Sequence, residues 1–289
     1  MAANAVVAGG ADDRHREFSF TDGDFDFIRR LVGEQTGINL SDGKREMVYG
    51  RLTRRLRERG IGTFAEYCKL LEGDDGEIMH LVNAITTNLT SFFRENHHFE
   101  YLRNTVLPEL LDHNRHSRRL RIWSSGCSTG EEPYSIAITL KETLPANHGW
   151  DVKILATDID TNVLDRARRG VYAQDGVRNL PPERVQRWFR RGAGTNAGKV
   201  QVNPALQELI RFRQLNLMSE SWPMKGRFDV IFCRNVVIYF DKPTQKRLFA
   251  RYAQVLDARR HLFIGHSETL FQICDEFELV GNTVYRKRT

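Results

Sequence analysis

Between Leu120 and Ser135 an apolar run (Leu120, Ile122, Trp123) stops at small residues and turns at Gly126 and Gly130. It then enters an amphipathic segment with Pro133 in its first turn. That order reads as strand, glycine-rich loop, helix, the start of an α/β unit. Small residues at such a crossing let a ligand press against the backbone, and the helix N-terminus offers it unpaired N–H groups. Glu131 and Glu132 occupy the first helical turn, where they suit the helix dipole but would repel a phosphate. A pyrophosphate loop, and with it an NAD-dependent dehydrogenase, is disfavoured. A cofactor with an ammonium or sulfonium group, and hydroxyls to donate, fits better.

The later strand ends extend this reading. Residues 151–160 form a β-rich run that closes on Asp158 and Asp160. An acid at the tip of the second parallel strand is where nucleoside-binding folds take the ribose hydroxyls, so Asp158 is the candidate, and Asp160 is expected to cap the helix Val163 to Arg169. A buried strand at 228–233 runs into Arg234, Asn235 and Tyr239. Ligands bind beyond the carboxyl ends of such strands, so these residues should face the same cleft as Gly126 and Asp158. Glycines at 192, 194 and 198, a short strand at 199–202 and a longer one at 209–215 predict a small antiparallel insertion over 191–212. Its edge either accepts a peptide as an added strand or is a plain hairpin. A helix at 244–255, a strand at 261–265 and a hairpin around Gly281 and Asn282 complete the pattern. The expected fold is α/β, doubly wound with a mostly parallel sheet, a small antiparallel β-subdomain and an N-terminal all-α domain.

Before this domain the periodicity is helical. Residues 1–19 read as a disordered tail, 20–88 as a helical domain and 89–100 as an interdomain segment, with the α/β domain over 101–289. Thr21 is placed to cap a first helix, and Val48, Leu52 and Leu56 make the core face of a second. Arg51, Arg54 and Arg55 run beside that face, and Lys44 to Arg59 hold seven Lys or Arg against two Glu. The stripe is either a solvated helix face or a docking surface for an acidic partner. Residues 86–95, TTNLTSFFRE, gather hydroxyl and amide groups before two Phe and Arg94. Helix capping and core packing explain them singly but not as a cluster.

Charge and cysteine usage set further limits. The 289 residues carry a net charge of +6, which favours an anionic partner without naming it. Four cysteines without CxxC or zinc-like spacing fit a reduced, cytoplasmic setting, and no apolar run approaches the roughly 18 residues of a membrane span. The N-terminal residues lack the basic and apolar regions of a secretory signal. Adjacent His97 and His98 cannot face one way on a helix, so no metal site is expected. His266, Ser267 and Glu268 lack a nucleophile elbow.

Together TTNLTSFFRE, GCSTGEEPYSIA, ATDID and FDVIFCRNVVIYF, in this order and spacing, resemble the CheR family of chemotaxis receptor glutamate methyltransferases over Phe20 to Arg286, RLTRRLRERG included. The resemblance implies methyl transfer from S-adenosylmethionine to glutamate carboxylates of the cytoplasmic domain of transmembrane chemoreceptors, by a monomer that needs neither nucleic acid nor membrane insertion. By similarity, Asn88, Thr90, Arg94, Gly126, Glu131, Asp158, Asn216, Leu217, Arg234 and Asn235 line the cofactor pocket. Arg94 and Tyr239 stand nearest the transferred methyl, Arg51, Arg54 and Arg55 dock the receptor, and in some members the β-subdomain grips a receptor tail. The rival readings are a nucleic-acid methyltransferase and a non-catalytic cofactor-binding protein. Against the first, adenine N6 enzymes carry an Asp-Pro-Pro-Tyr type segment where this chain has Cys233, Arg234, Asn235 and Val236.

Overall fold

The computed structural model describes residues 16–145 and 149–289, so most of the expected tail lies outside the described residues. The chain divides into two compact units, one ending at Ile85 and the other running from Thr86 to Thr289. In the first unit, α1 (Asp22–Thr36) opens on a capping box in which Thr21 and Asp24 satisfy each other's backbone N–H groups. Asp42–Lys44 form a 3-10 turn before α2 (Arg45–Arg59), and α3 (Phe64–Gly73) and α4 (Asp75–Ile85) follow. Val48, Leu52 and Leu56 are fully buried with Phe20, Ile28, Phe64 and Tyr67 in one core. The four-residue spacing along α2 therefore does mark its inward face.

The second unit begins with the 86–96 segment, then α5 (His97–Tyr101), a π turn (Leu102–Val106) and α6 (Leu107–His113). Thereafter strands and helices alternate: β1 (Arg119–Ser125), α7 (Glu131–Thr143), β2 (Asp151–Asp158), α8 (Thr161–Arg169) and β3 (Val171–Ala173). Next come α9 (Pro182–Trp188), β4 (Phe189–Arg191), β5 (Lys199–Val202), α10 (Pro204–Gln207), β6 (Ile210–Gln214) and β7 (Phe228–Cys233). The chain closes with α11 (Lys242–Val255), β8 (Leu256–Ile264), β9 (Phe277–Gly281) and β10 (Val284–Lys287). Seven strands make one sheet in the order β6-β2-β1-β7-β8-β10-β9, parallel except where β10 runs antiparallel to β8 and β9. Counted among themselves in chain order, these strands stand 3-2-1-4-5-7-6. Every residue of β7 is buried, as a central parallel strand covered on both faces requires.

One expectation is corrected. The small antiparallel sheet is β3-β5-β4, spanning residues 171–202 rather than 191–212. The strand expected at 209–215 is β6, which pairs in parallel with β2 from Ile154↔Ile210 to Asp158↔Gln214. Its alternation of buried Ile210 and Phe212 with exposed Arg211 and Arg213 resembles a hairpin strand, but it arises because β6 is the edge of the large sheet, covered on one face. The direction of the chain changes sides between β1 and β7, and ligands of open α/β sheets bind outside the carboxyl ends at that switch point.

Candidate active site

The loop after β1 is glycine-dependent for a packing reason. Gly126 has φ +89°, and a Cβ there would stand 2.5 Å from Cγ2 of Val236 in the loop after β7. The N–H groups of Gly126 and Cys127 both donate to the Thr157 carbonyl at 2.8 Å, which draws the ends of β1 and β2 together. Ser128 then donates its N–H to Oδ2 of Asp158 at 2.8 Å and its hydroxyl to the Asn88 carbonyl at 3.0 Å. Asp158 Oδ1 accepts the Asp160 N–H at 3.0 Å. Burial pushes the Asp158 carboxyl up to about 6, despite these N–H donors. A carboxylate with one donor on each oxygen keeps lone pairs for two more. Glu131, at the start of α7, accepts the Thr129 hydroxyl at 2.6 Å, and burial raises its pKa as well.

Asp160 does cap α8, taking the N–H groups of Asn162 and Val163 on Oδ1. Its other oxygen holds the Thr86 hydroxyl at 3.0 Å and the Asn88 amide at 2.8 Å. Asn88 thus reaches the site with its amide already bound to a helix cap, and Thr90, half-buried, follows two residues on. The Leu215 N–H donates to the Asp158 carbonyl at 3.0 Å, which places Asn216 and Leu217 directly beyond. Asn216 Oδ1 takes the Met218 N–H at 2.9 Å. Leu217 is buried, and its carbonyl accepts from Arg251 and from the Trp222 indole at 2.8 and 3.3 Å.

Arg234 is the least expected member. Its side chain is 2% exposed and pairs with Glu132 at 3.1 Å and Glu95 at 3.2 Å. It also donates to the Arg94 carbonyl. Its guanidinium ties three segments together instead of opening toward a ligand. Burial works to raise the Glu95 carboxyl, but bonds from His266 (2.8 Å) and Arg234 prevail and hold it down at about 2. Asn235 adopts φ +57° with its N–H on Glu268 at 3.1 Å, and its amide reaches Glu95 at 3.4 Å. Glu268 also takes the N–H groups of Val237 and Gly265, so it fixes the loop that carries Tyr239. Among the described residues, the Tyr239 hydroxyl has no hydrogen bond, and the Arg94 side chain makes one, from Nη1 to the Leu89 carbonyl at 2.8 Å.

Sequence reasoning missed Glu95, Glu132 and Glu268 as organisers of the site. Glu95 stood in view beside Arg94, but its partners are up to 171 positions away. Glu95, His97 and His98 also bring potential ligand atoms within 4.8 Å of one another. Burial and the nearby Arg234 charge push the His98 imidazole down to about 3, and a cation there would meet the Arg234 guanidinium. In the first unit, the outward arginine stripe is corrected. Arg55 is 18% exposed and binds both oxygens of buried Glu77 at 2.7 Å, while Arg51 donates to the carbonyls of Ala84 and Ile85 at the end of α4. Arg54 is 84% exposed. Packing α4 against α2 buries a carboxylate and leaves helix-end carbonyls to be satisfied, and the two arginines answer those needs.

A sheet of this order, with a glycine turn after its first strand, a free-handed carboxylate at the tip of its second and no basic side chain on the loop, defines an S-adenosylmethionine-dependent methyltransferase domain. The family description "CheR methyltransferase, SAM binding domain" matches residues 88–286, and "CheR methyltransferase, all-alpha domain" matches residues 23–86. The chain is 48% identical over 271 residues to chemotaxis protein methyltransferase 2 of Pseudomonas aeruginosa, covering 94% of this chain and 95% of that one. It is 47% identical over 269 residues to the chemotaxis protein methyltransferase of Klebsiella aerogenes (92% and 89% covered) and 45% over 271 residues to that of Escherichia coli (92% and 91%). The chain belongs to the CheR methyltransferase family.

Proposed function

We propose that this protein transfers a methyl group from S-adenosylmethionine to glutamate side chains in the cytoplasmic domain of chemoreceptors, forming γ-methyl esters. The observation that carries the reading is Arg94. Its backbone is clamped by Arg234, and among the described residues its guanidinium spends only one of its five donors, on the Leu89 carbonyl, next to a glycine loop that has no phosphate-binding character in sequence. A planar fork of donors is the group that best orients a carboxylate. The relatives named for chemotaxis methylation support the same substrate class.

The donor set suits the cofactor. Asp158 would accept ribose hydroxyls, Glu131 would face the positive end of the molecule, and the backbone around Asn216 and Leu217 would lie by the adenine, with Asn88, Thr90 and Gly126 completing the wall. When bound, the cofactor supplies an electrophilic methyl carbon on a sulfonium. The substrate carboxylate has a reference pKa of about 4.3 and is ionised near neutrality, so the chain supplies no general base and no metal. Its work is to hold that carboxylate in line and exclude water, a contribution of up to roughly 7–11 kcal/mol in well-oriented systems. Arg94 orients the oxygen, and the free Tyr239 hydroxyl bonds it or walls the methyl. Arg234 and Asn235 act mainly through the backbone they hold.

Incubation with labelled S-adenosylmethionine and receptor-containing membranes, followed by mild alkali, tests the proposal. Release of labelled methanol is the expected result. Alkali-stable label, or no transfer to any receptor fraction, would refute it. Arg94→Ala is expected to lower the transfer rate at least about 100-fold with an unchanged melting temperature. A near-normal rate in that folded variant would remove Arg94 from its role.

A further inference from the structure

Arg94 lies between two residues with left-handed backbone, Phe93 at φ +54° and Glu95 at φ +57°. A bulky aromatic in that region is strained and persists only where the surroundings over-determine it. The surroundings here come from the small antiparallel sheet. The Phe92 ring meets Tyr172 of β3 at 4.9 Å and Phe189 of β4 at 5.1 Å, both edge to face. Next to it, the Arg184 guanidinium of α9 stacks 4.3 Å over the Phe93 ring. Arg184 is itself held by two bonds to Glu142 on α7, at 3.0 and 2.7 Å. Glu142 also binds Trp188 at the end of α9, the residue before β4. The Phe93 N–H is taken by the Ser135 hydroxyl of α7 at 2.9 Å.

We propose that Phe92 and Arg184 are positioning residues for methyl transfer, through which the small sheet and α9 set the direction of the Arg94 guanidinium. The inference rests on the reading of Arg94 as the group that orients the substrate carboxylate. Phe92 packs across the face of the small sheet, against rings on its two outer strands β3 and β4, and Arg184 caps the neighbouring ring, so the backbone corner that launches Arg94 can shift only if the small sheet shifts with it. The sheet thereby has a part in the chemistry apart from any peptide its edge might bind. Removing either contact should misdirect Arg94 more than it disturbs the cofactor's contacts, because the Asp158 carboxylate is held by the N–H groups of Ser128 and Asp160 and the glycine loop keeps its own bond from Tyr172 to the Thr129 carbonyl.

A double-mutant cycle on the full chain tests this. Phe92→Leu is expected to lower kcat about tenfold, since small misplacements of a positioned group are costly, while KM for receptor membranes and the calorimetric affinity for S-adenosylhomocysteine stay within about twofold of wild type. In an Arg94→Lys background the same change should cost less than about twofold, because coupled residues are non-additive. An equal loss in both backgrounds would overturn the inference and leave the role of Arg94 standing. A wild-type rate for Arg94→Ala would instead overturn the reading beneath it. Arg184→Lys keeps a cation beside Glu142 but removes the planar stack. It guards against a folding defect at Phe92, and its expected loss in kcat is about threefold at unchanged melting temperature. Full kcat in both Phe92→Leu and Arg184→Lys would refute the proposal.

Discussion

The Asp158 carboxyl, raised by burial from its ordinary 3.8 to about 6, is ionised at pH 7 and becomes protonated as the pH falls through 6. Ribose hydroxyls donate to the charged form, so cofactor binding should favour ionised Asp158 and weaken as the pH drops, by up to about tenfold per unit below 6. Above that point the affinity should level off. Calorimetry with S-adenosylhomocysteine between about pH 5 and pH 8 checks this, and Asp158→Asn should both weaken binding and flatten the curve. A flat curve in the unaltered protein would take Asp158 out of the ribose site. The place of Asp158 at the end of β2 could be read from the sequence because an acid ending a β-rich run is a local pattern. Arg234 could not be read in the same way. Its place after β7 was legible, but its burial between Glu95 and Glu132 depends on residues that only the sheet order brings together.

At the scale of single elements, α2 separates structural from presented charge. Arg55 compensates buried Glu77, so Arg55→Ala would leave a carboxylate without its bidentate partner. The expected cost is roughly 3 kcal/mol, softened by Arg59 at 3.5 Å and measurable by denaturant unfolding. Arg54→Glu touches only an exposed pair with Glu58 and should change stability by less than about 0.5 kcal/mol. If α2 docks the receptor, that same reversal should raise KM for receptor membranes without altering S-adenosylhomocysteine affinity. Unchanged KM would confine the stripe to a structural role. The four-residue period of Val48, Leu52 and Leu56 told which face was inside, but not which flanking arginines would be drawn toward the α4 end. The misassigned β6 has the same origin. Alternating burial marks a strand with one covered face, and an edge strand of a large parallel sheet satisfies that pattern as well as a hairpin does.

For the whole molecule, the +6 net charge is unevenly divided. Residues 1–90 hold 12 basic and 15 acidic side chains, a balance of −3, so residues 91–289 carry +9. Positive charge of that size on residues 91–289 would speed productive encounter with a receptor that presents an acidic surface, over about a Debye length. Raising ionic strength from about 50 mM to about 300 mM should therefore lower kcat/KM for receptor methylation by about an order of magnitude, whereas kcat at saturating receptor should hold, since encounter no longer limits the rate there. S-adenosylhomocysteine affinity is expected to change little, because Asp158 is screened from bulk ions by its burial. Steady-state kinetics across a salt series, with calorimetry in parallel, separates these terms. A fall in kcat equal to the fall in kcat/KM would place the salt effect on chemistry and defeat the steering argument. A nucleic-acid substrate would show a salt-sensitive encounter too, so the transferred label must be alkali-labile at every salt concentration for the series to report on a receptor carboxylate.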